Sequence, residues 1–256
     1  MRSEEPRTPK LVLLPGLDGT GKLFADFLKT LDLGVSANVV PYPADVPLGY
    51  DELEHLVRAA LPTRGRFVLL GESFSGPLAI RIAAHPPPEL VGLILCVTFA
   101  SNPYPHLAWV RRLAAFLPLK SLPRWLRAPL MWGSASPSDA PRQSERAMAG
   151  VDAAVIRRRI AELLSVDETA ALAKISVPTL VLCATRDRVV SNKAAMRIMR
   201  GIPHAQRVDV DGPHLLLKTR PKECAAAVLS FIREGQTAGR PPAGSNPAPV
   251  SNRSPA

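Results

Sequence analysis

The stretch Arg66-Phe67-Val68-Leu69-Leu70-Gly71-Glu72-Ser73-Phe74-Ser75-Gly76 decides the fold. The apolar run Phe67 to Leu70 ends at a glycine. A serine follows two residues later, and Leu78, Ile80, Ile82 and Ala83 then open a helical pattern. A strand that feeds a tight turn and then a helix is the layout of a nucleophile elbow, in which a strained turn presents one hydroxyl at the carboxyl end of the strand. Such a turn presses together the residues two before and two after the nucleophile, so both must be small. Gly71 and Ser75 hold those positions around Ser73, where the usual pattern has glycine at both, and Gly76 follows. If Ser75 were the nucleophile, its flanking residues would be Ser73 and Pro77, a poorer steric fit. Ser73 is therefore the candidate nucleophile. The competing reading is a glycine-rich strand-to-helix turn without chemistry, and the rest of the chain must decide between them.

Working outward, Leu11 to Leu14 reads as a buried strand ended by Pro15-Gly16, with a loop from Leu17 to Gly21. Leu23, Phe24, Phe27, Leu28 and Leu31 recur at helical spacing. Asn38-Val39-Val40 is the next strand, and Leu53, Leu56, Val57 and Ala60 mark a helix stopped by Pro62. After the elbow, Leu90 to Val97 is a fourth strand. Strands alternating with helices of this length predict an α/β fold with a mostly parallel central sheet flanked by helices. Burial on both faces accounts for strands that are continuous apolar runs. The sheet resumes at Thr179 to Cys183 and ends with Gln206 to Val210. A helix at Lys193 to Arg200 lies between these strands, and Leu215 to Arg233 holds the last one.

Between Asn102 and Lys174 no clear strand appears, and this segment holds all three tryptophans, Trp109, Trp125 and Trp132. It reads as a helical cap inserted over the active-site end of the sheet. The expected organisation is an N-terminal extension at 1–9, a core at 10–101 and 175–233, the cap at 102–174, and a disordered tail at 234–256 rich in proline, serine, glycine and asparagine.

A chain of 256 residues, 46% hydrophobic, can bury one large core. No apolar run approaches the roughly 20 residues that span a bilayer. The N-terminus MRSEEPRTPK has no apolar signal-peptide centre, so a soluble cytoplasmic protein is expected. Three cysteines, Cys96, Cys183 and Cys224, suit buried small hydrophobes better than disulfides or zinc ligands. The net charge of +10 comes without basic runs interleaved with aromatics, which argues against nucleic acid, while a basic surface would still attract an acidic partner or substrate.

Sites in open parallel sheets lie beyond the carboxyl ends of strands. His55 falls within a helix, His85 precedes a proline run, His106 lies in the cap, and His204 precedes the last strand. His214 alone follows a strand and is the candidate base, with Pro213 immediately before it. Asp187 follows the strand ending near Cys183 and fits the chain order serine, acid, histidine. Asp209 and Asp211 are too near His214 in sequence to orient it easily. The backbone N–H groups of Phe74 and, from the first loop, Leu17 are the candidate oxyanion donors. The loop Gly16 to Gly21 has the wrong glycine spacing for a dinucleotide fingerprint, and no Walker lysine pattern follows it.

With Leu14-Pro15-Gly16, Gly71 to Gly76, Asp187 and His214 in this order, the chain resembles the α/β-hydrolase superfamily over about residues 10 to 233. Within it the chain looks like small bacterial serine carboxylesterases, including the pimeloyl-acyl-carrier-protein methyl ester esterase type. It departs in having Pro15 where many relatives have histidine, and its short N-terminus leaves no room for the first hairpin. The resemblance implies hydrolysis of short- to medium-chain acyl esters through Ser73, Asp187 and His214, with no metal or organic cofactor and a small-molecule ester as substrate. Leu107, Trp109, Phe116, Trp125 and Trp132 are candidate pocket-lining residues or, equally, cap core. Arg111, Arg112, Arg124, Arg127, Arg157, Arg158 and Arg159 read either as a solvated face or as a docking surface for an acidic acyl-carrier protein. A non-catalytic ligand-binding protein on the same scaffold is the remaining alternative.

Overall fold

The computed structural model describes residues 8–31, 35–105 and 140–238. Among them six strands form one sheet: β1 (Lys10–Leu14), β2 (Ala37–Val39), β3 (Phe67–Glu72), β4 (Leu90–Cys96), β5 (Thr179–Ala184) and β6 (Gln206–Val210). Their order is β2-β1-β3-β4-β5-β6, and every pairing is parallel. Side chains alternate between two apolar layers, as strand geometry requires. Val12, Leu14, Leu69, Leu93, Leu95 and Val181 face one layer, with α2 (Tyr50–Ala60), α3 (Gly76–Ala84) and α7 (Asn192–Gly201). Leu11, Leu13, Val68, Leu70, Ile94, Leu180 and Leu182 face the other, with α1 (Ala25–Thr30), α8 (Leu216–Thr219) and α9 (Pro221–Ala238). This two-sided burial is why the strands read as unbroken apolar runs. The α/β fold expected from the alternation is the observed one.

The order 2-1-3-4-5-6 reverses direction between β1 and β3, a topological switch point. A crevice opens at the carboxyl ends of strands on either side of such a point. The loops that leave β1 and β3 are the two glycine-containing loops singled out in the sequence. Topology thus brings residues 15–21 against residues 73–76.

Some boundaries differ from the sequence expectation. β3 runs through Gly71 to Glu72, because pairing with Leu95 and Cys96 of β4 continues past the glycine. The final helical region is two helices, α8 and α9, separated at Arg220, and Pro221 starts α9 where its missing N–H costs nothing. α9 continues to Ala238, so residues 234–238, expected in the tail, are helical.

Between β4 and β5 the described residues hold α4 (Ala140–Ala149), α5 (Ala153–Leu163) and α6 (Thr169–Leu172). Leu107, Trp109, Phe116, Trp125 and Trp132 lie outside the described residues, as do His106, Arg111, Arg112, Arg124 and Arg127. Helix α5 lies on the loop after β2: Val151, Val155 and Ile156 pack with Ala44, the Asp152 N–H donates to the Ala44 carbonyl at 2.7 Å, and Glu162 accepts from the Tyr50 N–H at 3.2 Å. The three consecutive arginines of α5 do not share one face. Arg158 is exposed and pairs with Glu162 at 3.1 Å, whereas Arg159 is 1% exposed. Arg159 stands one helical turn beyond Val155 and Ile156, on the apolar side, which removes it from the solvated or docking face expected for the cap arginines. No described helix is long and apolar enough to cross a membrane.

Candidate active site

Ser73 follows β3 directly and opens a short 3-10 turn, Ser73–Ser75, that runs into α3. Its φ is 50°, a left-handed conformation that costs a non-glycine residue of order 1–3 kcal/mol. Surrounding contacts hold it there. The Thr98 hydroxyl, just past β4, donates to the Ser73 carbonyl. The Tyr50 hydroxyl donates to the Phe74 carbonyl at 2.7 Å, and the two rings stack at 4.8 Å. A β-carbon at Gly71 would stand 2.7 Å from Ala79 Cβ and 2.8 Å from the Ser75 carbonyl oxygen, so only glycine fits. The small residue that the motif demands is thus required before the serine. After it, the Ser75 side chain has room of its own: it is fully buried, donates to the Pro15 carbonyl, and accepts from the Tyr42 hydroxyl at 2.6 Å. Ser75 therefore ties the elbow to the β1 loop and is turned away from His214.

The loops after β5 and β6 carry the partners. Thr185 N–H donates to the Val210 carbonyl and Arg186 N–H to the Gly212 carbonyl, each at 3.0 Å, which aligns the two loops. Asp187 then meets His214. The distance from Asp187 Oδ2 to His214 Nδ1 is 2.8 Å, and from His214 Nε2 to Ser73 Oγ 2.9 Å. A neutral imidazole with its proton on Nδ1 donates to Asp187 and accepts from the Ser73 hydroxyl. Asp187 Oδ1 accepts the N–H groups of Val189 and Val190, both at 2.8 Å, so both carboxylate oxygens are used. His214 is 2% exposed, whereas His55, His85 and His204 lie at the surface. Asp211 faces Thr185 and Arg186, and Asp209 pairs with Arg207. The three side chains nominated by strand-end position are the three brought together.

The β1 loop lies against the elbow: a β-carbon at Gly16 would be 3.9 Å from Ser73 Cβ. The Gly16 carbonyl accepts from the Gly19 N–H at 3.0 Å. In a trans peptide this sends the Leu17 N–H the opposite way, out of the turn. Neither the Leu17 nor the Phe74 N–H donates to a protein acceptor among the described residues. Two N–H groups left without a protein acceptor, in loops that meet at the serine, are the kind of donor that stabilises an oxygen gaining negative charge.

Sequence reasoning missed Asp18, Tyr42, Glu72 and Thr98 behind this surface, and it placed Arg159 on a solvated or docking face instead. Helical spacing could have found Arg159, and nothing local marks the others. Glu72 is 5% exposed and points toward Gly16. Burial, reinforced by nearby Asp18 and partly offset by the Gly16 N–H, pushes its carboxyl up to about 8. The unfolded chain releases this proton near 4.5 while the folded chain keeps it to about 8, so stability falls as pH rises between those values. Ionised Glu72 would also put negative charge behind the peptide that offers the Leu17 N–H. Any turnover that draws on the Leu17 N–H should therefore decline above about pH 8, and Glu72→Gln should extend the alkaline plateau. Paired pH–rate profiles check this, and identical alkaline limbs would contradict it.

Among the described residues no group of three His, Cys, Asp or Glu side chains is arranged to hold a metal ion. The three cysteines are free and buried, and burial pushes the Cys183 thiol up to about 11 and that of Cys224 up to about 12.

Comparison with known proteins agrees with this architecture. The chain is 27% identical over 253 residues to the "Putative carbamate hydrolase RutD" of Pseudomonas savastanoi pv. phaseolicola, covering 90% of this chain and 96% of that protein. It is 29% identical over 250 residues to the polyketide synthase ThaQ of Burkholderia thailandensis, covering 89% of this chain but only 12% of that much longer protein. The solved enol-lactonase from Burkholderia xenovorans LB400 superposes with a TM-score of 0.75 at 17% identity, covering 90% of this chain and 94% of that one, a likeness of fold. The alpha/beta hydrolase family matches residues 11–227, most of the sheet and its helices together with Ser73, Asp187 and His214, and the chain belongs to that family.

Proposed function

We propose that this hydrolase is a serine carboxylesterase acting on short- to medium-chain acyl esters. The observation that carries the reading is the relay Ser73 Oγ–His214 Nε2–Asp187, at 2.9 and 2.8 Å, set on a serine with φ of 50°. In this reading Ser73 attacks the ester carbonyl carbon while His214 takes its proton. Asp187 holds the imidazole in the accepting tautomer and stabilises its charged form. The carbonyl oxygen, now negative, receives the N–H groups of Leu17 and Phe74. Collapse of the tetrahedral intermediate breaks the bond to the alkoxy group, and His214 returns the proton to it. Water then repeats the sequence on the acyl-enzyme.

The test is a panel of p-nitrophenyl esters of increasing acyl length, run beside a carbamate and an acyl thioester. The latter two are included because the relatives carry the names of a carbamate hydrolase and a polyketide synthase. The expected result is turnover of esters that peaks at short to medium chains. Turnover of the carbamate alone would overturn the ester reading. A second reading, an esterase for the methyl esters of carrier-bound acyl groups, is favoured by the net charge of +10. It requires a strong preference for the carrier-bound ester that falls with added salt, and equal rates on free and carrier-bound esters would exclude it.

A further inference from the structure

Arg159 is the largest fully buried side chain in the described protein and belongs to the segment between β4 and β5, not to the sheet. Its guanidinium spends its donors on backbone. Nη1 donates to the Leu17 carbonyl at 2.9 Å and to the Asp18 carbonyl at 2.8 Å, and Nη2 donates to the Pro43 carbonyl at 2.9 Å. Its carbon lies 5.6 Å from the centre of the Tyr42 ring. Tyr42 in turn bonds Ser75, which bonds the Pro15 carbonyl. The loop after β1 is thereby gripped on both sides of Leu17, at Pro15 by Ser75 and at Leu17 and Asp18 by Arg159. Gly19 completes the seat. Its φ is 70°, and a β-carbon there would come within 2.7 Å of the guanidinium carbon.

Burying a guanidinium is costly, and an ordinary ion pair with a carboxylate would be the common way to offset it. Arg159 makes no such pair among the described residues: the Asp18 carboxylate instead bonds the N–H and hydroxyl of Thr20. The three carbonyls that accept from Arg159 belong to the β1 loop and the loop after β2. The Asp18 carbonyl shares its peptide with the Gly19 N–H, which donates to the Gly16 carbonyl at 3.0 Å, and that carbonyl shares its peptide with the Leu17 N–H; the grip of Arg159 is thereby passed to the direction in which the Leu17 N–H points.

We propose that Arg159 is a positioning residue for the oxyanion loop: reaching from α5, it locks the Leu17–Asp18 and Asp18–Gly19 peptides, and through the Gly19–Gly16 hydrogen bond it holds the Leu17 N–H on the Ser73 side of the loop. This rests on the esterase reading, because Leu17 matters only if an oxyanion forms. It also makes the segment between β4 and β5 part of the machinery that stabilises charge, in addition to whatever it does for substrate.

The experiment compares Arg159→Ala and Arg159→Lys with wild type and with Arg158→Ala, which removes an exposed arginine whose ion pairs are with Glu52 and Glu162. Four readouts are used: kcat and KM on a p-nitrophenyl ester, inhibition by an alkylboronic acid that mimics the tetrahedral state, the rate of Ser73 labelling by a fluorophosphonate, and hydrogen exchange at the amides of residues 17–19. Arg159→Ala should lower kcat about 10- to 100-fold with KM nearly unchanged, and weaken the boronate by a similar factor. Labelling should slow, exchange at residues 17–19 should rise, and millimolar guanidinium should restore part of kcat. Arg159→Lys should fall between, and Arg158→Ala should match wild type.

If Arg159→Ala lowers only the Tm, with kcat, boronate affinity and exchange unchanged, the residue is merely structural and the proposal fails. If Arg158→Ala and Arg159→Ala lower activity alike, surface charge is the cause and the proposal also fails. If the wild-type protein is labelled at Ser73 but turns over no ester, the esterase reading falls by itself, and the labelling and exchange of the Arg159 variants still decide the role of Arg159.

Discussion

Ser73→Ala is expected to lower kcat on p-nitrophenyl esters by about 10⁴-fold or more, while the Tm and circular dichroism stay close to wild type. The size follows from the geometry. Ser73 Oγ is the one hydroxyl within hydrogen-bond distance of His214 among the described residues, and the neighbouring hydroxyl of Ser75 is committed to Pro15 and Tyr42. Alanine removes the nucleophile without changing the contacts that hold the turn, since Thr98 grips the Ser73 carbonyl and Tyr50 the Phe74 carbonyl. The residual rate would report what the Leu17 and Phe74 donors achieve with water alone. Retention of more than about a tenth of the activity would remove Ser73 from the mechanism, given how severe loss of a nucleophile ordinarily is.

Asp187→Asn is expected to cost about 10⁴-fold in kcat, comparable to losing the serine, although it changes one atom. Asp187 Oδ1 accepts two backbone N–H groups, from Val189 and Val190, and that side of the new amide must remain an oxygen. The amide nitrogen is then forced toward His214 Nδ1, where the carboxylate oxygen stood. A donor facing Nδ1 selects the tautomer with its proton on Nε2, and that tautomer cannot accept from Ser73. The pH dependence of the remaining rate should change with it, while stability should change little because every backbone bond can persist. A loss of less than about 10-fold would show that Asp187 does not set the tautomer.

The sheet was legible because its strands are buried on both faces. Leu11 to Leu14 and Thr179 to Cys183 need no alternation to be recognised, and prolines and glycines mark their ends. The same strand-end rule led to Asp187 and His214, since a histidine or acid just past a parallel strand is already in the crevice. What stayed hidden is tertiary. Glu72 looks like any residue between a glycine and a serine, and only the packing of Gly16 and Asp18 around it shows a buried carboxyl. Arg159 reads as the third of three arginines until its face of α5 is known. Ser75 looked like an imperfection in the motif, and its hydroxyl turns out to join two loops that the sequence holds sixty residues apart.

The most direct measurement treats the protein with a fluorophosphonate and locates the adduct by peptide mass spectrometry. The prediction is one phosphonyl group per chain, on Ser73, lost in Ser73→Ala and slowed strongly in His214→Ala. No adduct on the folded protein, or an adduct on Ser75 with Ser73 unmodified, would contradict the central claim that Ser73 is the nucleophile of this hydrolase.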